Sequence, residues 1–127
     1  MSANSNPTEA NENWLEAATI DVFQLAERLA ARDRGEDDFL LIDVREQNEF
    51  EINRIPGSML IPRGEFASGD AFAKLTSGQQ IVLHCKSGRR SADALAELHA
   101  AGFSDAVHVG GGVVAWVENI EPEQARY

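Results

Sequence analysis

Apolar runs alternate along this chain with apolar residues at helical spacing. Residues 39–44 and 81–84 are nearly continuous apolar runs, a pattern typical of buried strands in a parallel sheet. Val22, Leu25 and Leu29 instead recur at the spacing of an α-helix. We predict helices around 22–29 and over 66–75, 91–101 and 113–116, and strands over 39–44, 58–61, 81–84 and 106–109.

Two of these helices carry end signals. Asp21 and Gln24 form a capping box for the first helix, and Gly102 fits the position just beyond the helix that ends near residue 101. The repeated alternation of strand and helix, with short links between them, predicts an α/β domain. Its mostly parallel sheet is expected to be covered on both faces.

The length of 127 residues, with 43% hydrophobic and 25% charged residues, suits a single globular domain. We divide the chain into a flexible N-terminal lead (1–18), in which Trp14 docks onto the core, a folded domain (19–118) and a short surface tail (119–127). No apolar run is long enough to span a membrane, and the polar start of the chain argues against a secretory signal. We therefore expect a cytoplasmic protein.

Charge and cysteine content exclude several classes of function. The chain has 11 Lys and Arg against 21 Asp and Glu, a net charge of −10, so we expect neither nucleic acid nor a membrane as a partner. Cys85 is the only cysteine, which excludes an intramolecular disulfide and a cysteine-rich zinc site. His99 and His108 have no partner at ligand spacing, and we expect neither a metal nor a cofactor.

The segment 81–91 (IVLHCKSGRRS) carries the strongest chemical signal. A buried strand ends at His84, and six loop residues (85–90) separate it from the predicted helix, so Cys85 opens a loop at the carboxyl end of a strand. Ligands of α/β sheets bind in that position, where the next helix directs its free N–H groups. Gly88 permits the curvature that turns successive amides inward around the cysteine sulfur.

Local charge supports an activated sulfur. Residues 71–92 contain no Asp or Glu, although the whole chain is acidic, and they include Lys86, Arg89 and Arg90 beside the cysteine. Cations and a helix N-terminus both favour thiolate over thiol, so we predict that Cys85 is a thiolate at neutral pH. We expect the Arg90 fork to point into the loop and Arg89 to point outward.

Two chemistries suit a thiolate ringed by amides: attack on a phosphate ester, and acceptance of a sulfane sulfur as a persulfide. The tyrosine-phosphatase signature places five residues between Cys and Arg, whereas four separate Cys85 from Arg90 here, and Ser91 occupies the phosphatase arginine position. The shorter ring favours one extra sulfur atom over a tetrahedral phosphate. The absence of a second cysteine counts against an oxidoreductase cycle.

These residues resemble the rhodanese-like sulfurtransferases, which place one catalytic cysteine in a Cys-x-x-Gly-x-Arg loop on a three-layer α/β/α fold. The resemblance covers residues 20–116 and includes 41–45 (LIDVR), 49–50 (EF), 55–58 (IPGS), the cysteine loop and 111–116 (GGVVAW). The loop is most similar to rhodanese domains fused to molybdopterin-synthase adenylyltransferases. No adenylyltransferase domain is present in this sequence.

The resemblance implies that Cys85 carries a persulfide. The backbone amides from Lys86 to Ser91 would hold its terminal sulfur, the three cations would attract an anionic donor, and Ser87 would add a hydroxyl. It implies as partners a small anionic sulfur donor or a cysteine desulfurase, together with a ubiquitin-like sulfur-carrier protein and an adenylyltransferase domain. A non-catalytic rhodanese-like module that binds proteins and a cysteine-dependent phosphatase remain the alternatives.

Three further residues adjoin the same crevice. Asp43 and Arg45 end a neighbouring strand, where a structural ion pair is favoured over direct action on substrate, because a buried carboxylate needs a partner. On a strand, His84 points away from Cys85, so packing is favoured over a general-base role. Trp116 is predicted to be part of the core.

Overall fold

The computed structural model describes residues 13–127. The first twelve residues of the predicted lead lie outside the described residues. Residues 13–17 are helical, and Trp14 packs against the core, with its ring centroid 4.8 Å from that of His99. None of the helices in residues 13–127 has the length and apolar character of a membrane span.

A five-stranded sheet forms the centre of the domain. Its strands are β1 (Thr19–Ile20), β2 (Phe39–Asp43), β3 (Met59–Leu60), β4 (Gln80–His84) and β5 (Val107–Val109). They lie in the order β1-β5-β4-β2-β3, and each neighbouring pair is parallel. The predicted α/β class with a parallel sheet is confirmed.

The helices are α1 (Val22–Asp33), α2 (Gln47–Ile52), α3 (Arg63–Ser68), α4 (Arg89–Ala100) and α5 (Gly112–Asn119), with a 3-10 helix at Asp70–Lys74. Buried side chains of α3, the 3-10 helix and α4 pack on one face of the sheet. Those of α1 and α5 pack on the other, where Trp116 is buried. The result is the expected three-layer α/β/α arrangement with one core on each face.

Local signals account for several helix ends. Asp21 accepts a hydrogen bond from the N–H of Gln24 at 2.8 Å, and the Gln24 side chain accepts from the N–H of Asp21, which confirms the capping box. Beyond α4, Gly102 adopts a φ of +102° and the N–H of Phe103 donates to the Leu98 carbonyl. The chain therefore leaves α4 at the predicted glycine.

The helices differ most from the predictions in three places. The single helix expected over 66–75 is two, because Gly69 at φ +90° interrupts it, and its first part already begins at Arg63. Helix α4 begins at Arg89, two residues earlier than expected, so that Gly88 is its N-cap. Helix α2 was not predicted at all, since none of its residues is buried and no apolar periodicity marks it.

Candidate active site

The sulfur of Cys85 lies directly beyond strand β4, on the face of the sheet that packs against α4. The residue is 1% exposed, so the sulfur forms the floor of the loop. The N–H groups of Gly88 and Ser91 donate to it at 3.1 and 3.4 Å, and the Ser91 hydroxyl oxygen lies 3.5 Å away. Because Gly88 and Ser91 belong to the start of α4, the positive end of that helix also points at the sulfur.

The loop takes this shape because its carbonyl groups are held outward. Gly88 has a φ of +114°, which a residue with a side chain adopts only with strain. On the outer side, the N–H groups of Val113 and Val114 donate to the carbonyls of Cys85 and Lys86 at 2.9 and 3.0 Å. A Cβ on Gly112 would overlap both carbonyl oxygens. The glycine that begins α5 thus lets that helix approach and hold the loop carbonyls, which leaves the amides to face the sulfur.

The cations of the loop differ in their surroundings. Arg89 and Ser87 are exposed, and Lys86 is half-buried with its Nζ 4.0 Å from the centroid of the Tyr127 ring. Within residues 13–127, neither Lys86 nor Arg89 forms an ion pair. Their charges are therefore available to an anion that approaches the loop.

Arg90 is committed to a carboxylate instead. Its two terminal nitrogens donate to the two oxygens of Glu49 at 2.7 and 2.9 Å, so its fork points to Glu49 and not into the ring of amides as expected. These hydrogen bonds lower the pKa of Glu49 to about 2 and raise the pKa of Arg90. The positive charge of Arg90 is therefore held in a fixed position at the edge of the loop and is largely neutralised by Glu49.

Asp43 and Arg45 form a buried ion pair at the end of β2. Both side chains are fully buried, and Arg45 donates to both Asp43 oxygens and to the carbonyl of Asn53. Burial opposes the charge of Arg45, but the hydrogen bonds to Asp43 and Tyr127, together with the charges of these two groups, outweigh it and raise the pKa of Arg45. Because these donors are used inside the protein, Arg45 links the end of β2 to Asn53 in the wall of the crevice and does not bind a ligand.

His84 is buried beside this pair, with Nε2 4.0 Å from the nearer Asp43 oxygen. Burial lowers its pKa to about 4, so the ring is neutral at neutral pH. Neither ring nitrogen has a hydrogen-bond partner among the described residues. The ring fills space between strands and is not aimed at the sulfur.

The structure adds three residues that sequence reasoning did not place at the site. Glu49 entered only through the family resemblance, His108 was considered only as a metal ligand, and Tyr127 lay in the predicted tail. The Tyr127 hydroxyl donates to Glu49 at 2.7 Å and accepts from Arg45 at 2.9 Å. No local pattern announces these contacts, because each joins residues far apart in the sequence.

A small cavity adjoins the loop. It has a volume of about 160 Å³, and its walls include Lys86, Tyr127, Asn53 and the apolar face formed by Val113, Val114 and Val117. No group of three His, Cys, Asp or Glu side chains in the described part of the chain is placed to hold a metal ion. The cysteine loop itself contributes one thiol, the amides that face it and the nearby cations.

Comparisons with known proteins agree with this geometry. The family model described as "Rhodanese-like domain" matches residues 25–119. The probable adenylyltransferase/sulfurtransferase MoeZ of Mycobacterium tuberculosis is 49% identical over 87 residues, which are 68% of this chain and 22% of MoeZ. The chain thus spans about a fifth of that relative's length.

Two solved structures are similar over most of their own length. A rhodanese-related protein from Thermoplasma volcanium is 29% identical with a TM-score of 0.68, covering 82% of this chain and 94% of that one. The human single-domain sulfurtransferase TSTD1 is 26% identical with a TM-score of 0.65, covering 80% and 96%. On its sequence, its fold and its cysteine loop, the chain belongs to the rhodanese-like domain family.

Proposed function

We propose that this chain is a rhodanese-type sulfurtransferase that carries sulfane sulfur as a persulfide on Cys85. The observation that supports this most directly is the pair of amides of Gly88 and Ser91 aimed at the sulfur. Such preorganised donors stabilise negative charge without rearranging during the reaction. The same ring gives a terminal persulfide sulfur a place among hydrogen-bond donors.

The reaction proceeds in two displacements. The Cys85 thiolate attacks the outer sulfur of thiosulfate, a new S–S bond forms, and the old S–S bond breaks so that sulfite leaves with its electron pair. A thiophilic acceptor such as cyanide then attacks the terminal sulfur, and Cys85 leaves as thiolate. Lys86 and Arg89 attract the dianionic donor, since neither forms an ion pair within residues 13–127.

Mass spectrometry tests this function directly. After incubation with thiosulfate, the wild-type chain should gain one sulfur atom on Cys85, and cyanide should remove it as thiocyanate. Cys85→Ala is the matched control and should gain nothing. A wild-type chain without an adduct, or an adduct that survives Cys85→Ala, would contradict the proposal. Hydrolysis of an aryl phosphate that depends on Cys85 would instead favour a phosphatase.

The acceptor that we propose is a ubiquitin-like sulfur-carrier protein activated at its C-terminus by an adenylyltransferase, and the donor is thiosulfate or a cysteine desulfurase persulfide. The support is the relative whose name joins adenylyltransferase and sulfurtransferase. When the persulfidated chain is mixed with an adenylated carrier, the terminal sulfur should displace AMP and form an acyl disulfide between Cys85 and the carrier. A small dithiol added afterwards should reduce that S–S bond and release the carrier thiocarboxylate, detected by mass, with Cys85 as the free thiol. A persulfide that cyanide removes but such a carrier does not would restrict the proposal to small acceptors.

A further inference from the structure

A chain of hydrogen bonds runs from the Cys85 sulfur into the protein. The Ser91 hydroxyl oxygen, 3.5 Å from the sulfur, lies 2.8 Å from Nδ1 of His108. On the other side of the ring, Nε2 of His108 lies 3.1 Å from the hydroxyl oxygen of Thr19, which donates to the Leu15 carbonyl at 2.6 Å. Ser91 and His108 are both buried, at 0% and 4% exposure, so the middle of this chain is shielded from bulk solvent.

The Leu15 carbonyl, at the far end from the sulfur, determines which group donates in each hydrogen bond of this chain. A carbonyl only accepts, so the single hydroxyl proton of Thr19 is used on Leu15, and His108 must donate to Thr19 from Nε2. Nδ1 is then the unprotonated nitrogen of a neutral ring, and burial, which lowers the pKa of His108, favours that neutral form. It follows that Ser91 donates its proton to Nδ1.

A second acceptor near Ser91 does not alter this assignment. The Gly88 carbonyl lies 3.2 Å from the Ser91 hydroxyl oxygen. If Ser91 donated to that carbonyl, two lone pairs would face each other across the 2.8 Å between Ser91 and His108. Donation to His108 avoids this repulsion and leaves a Ser91 lone pair free to accept the Cys85 S–H.

We propose that His108 is a positioning residue that receives the Cys85 proton through Ser91 when the thiolate forms. The S–H proton passes to the Ser91 oxygen while the Ser91 hydroxyl proton passes to Nδ1 of His108. The S–H and original O–H bonds break, new O–H and N–H bonds form, and no electrons are lost or gained. Thiol and neutral imidazole become thiolate and imidazolium, and the reverse transfer restores them.

Among residues 13–127, the surroundings of His108 supply no other charged partner. Strand β1 brings Thr19 against it, β4 places Leu83 opposite it, and α4 contributes Ser91. None of the ion pairs in residues 13–127 includes His108. A buried imidazolium is costly unless an anion compensates it, and the thiolate of Cys85 is the anion that the hydrogen bonds supply. The proposed transfer therefore creates the two opposite charges together.

The role of His108 in sulfur transfer rests on the proposed function, but the proton relay is tested without a sulfur donor. The rate at which iodoacetamide alkylates Cys85 is measured against pH in wild type, His108→Gln and Ser91→Ala. Glutamine keeps polar atoms at the site but does not take up a proton in this pH range. We expect the midpoint of the rate profile to rise by about one pH unit in each variant, so that alkylation slows about tenfold at pH values well below the wild-type midpoint.

The shape of the profile separates a relay from a merely structural role. At pH 9 the variant rates should converge on the wild-type rate, whereas loosened packing would change the rate by the same factor at every pH. The double variant should show the shift of one single variant, because both substitutions interrupt one path. His99→Gln is the matched control, since His99 bonds the Ala106 carbonyl outside the relay, and it should leave the profile unchanged.

Two outcomes would overturn the relay: midpoints that coincide in wild type and His108→Gln, or shifts of the two single variants that add in the double variant. If His108→Gln does not fold, the comparison of Ser91→Ala with wild type decides the same question. If the variants show the expected alkylation shifts but the wild-type chain forms no persulfide with thiosulfate, the proposed function is refuted and the relay stands.

Discussion

The ends of β2 and β4 lie side by side in the sheet, with Asp43 opposite His84 in the register. The arginines that follow the two strands nevertheless differ in burial and in pairing. After β2, Arg45 is fully buried, and its donors are taken up by Asp43, Asn53 and Tyr127. After β4, Arg89 is exposed and forms no ion pair within the described residues.

This difference shows that burial decides whether an arginine that follows a strand is able to bind an anionic ligand. A buried guanidinium requires a carboxylate and further acceptors, and once these are in place it has nothing left for a ligand. An exposed cation keeps its hydration and can exchange it for an anionic substrate. The β2 end thus builds the wall of the crevice, while the β4 end supplies the charge that acts on a donor.

The largest expected effect comes from breaking the buried pair. Arg45→Met leaves Asp43 as an uncompensated buried charge and should lower the free energy of unfolding by about 3–5 kcal/mol. Arg89→Met, the matched change at the β4 end, should alter it by less than about 0.5 kcal/mol. Urea unfolding of both variants measures the contrast. Similar losses in the two variants would contradict the division between the two strand ends.

A second effect tests His84, the buried ring between the two regions. In the unfolded chain histidine protonates near 6.5, whereas in the folded protein the pKa of His84 is about 4. Between these values the unfolded state binds more protons, so stability should fall as the pH drops from about 6.5 to about 4, by about 3 kcal/mol.

The measurement is urea unfolding across this pH range in wild type and His84→Leu. Leucine cannot titrate, so the variant should lose that part of the pH dependence. His99→Leu, which removes a half-buried histidine away from the pair, should keep it. Parallel pH profiles of wild type and His84→Leu would mean that another group is responsible.

A third effect concerns the free cations of the β4 loop. Replacing Lys86 and Arg89 together by Met should raise the KM for thiosulfate about tenfold with little change in kcat, since these charges act on donor capture. Added salt should weaken thiosulfate use by wild type more than by this variant.

The control for the loop cations is Arg34→Met, which removes an exposed arginine paired with Glu36. This control also removes a positive charge, but from a site outside the cysteine loop. The KM for thiosulfate should therefore stay near the wild-type value. If kcat in the variant that lacks Lys86 and Arg89 fell by as large a factor as KM rises, the two cations would act on the reacting sulfur itself.

The smallest effect tests the link between the two regions. Tyr127→Phe removes a hydroxyl that bonds both Arg45 and Glu49, and should cost about 1 kcal/mol of stability. Combined with Glu49→Gln in a double-mutant cycle, its effect should be less than additive, because the two substitutions share one hydrogen bond. Full additivity in urea unfolding would mean that Tyr127 contributes only its ring.

The sequence predicted the buried strands and the chemistry at their ends. The apolar runs at 39–44 and 81–84 became β2 and β4 because a strand covered on both faces needs apolar residues throughout. Cys85 follows β4, and Gly88 turns the amides toward it, as the glycine spacing indicates. These features depend on residues close together in the chain, where local conformation carries the information.

Tertiary structure alone decided which side chains meet. Arg90 pairs with Glu49 across 41 positions, and Arg45 reaches Tyr127 across 82, and nothing local to either arginine identifies these distant partners. His108, which the sequence leaves isolated, reaches Cys85 through Ser91 because β5 lies next to β4 and under α4. Strand order and helix placement result from packing of the whole core, and a contact set by packing leaves no pattern in the residues on either side of it.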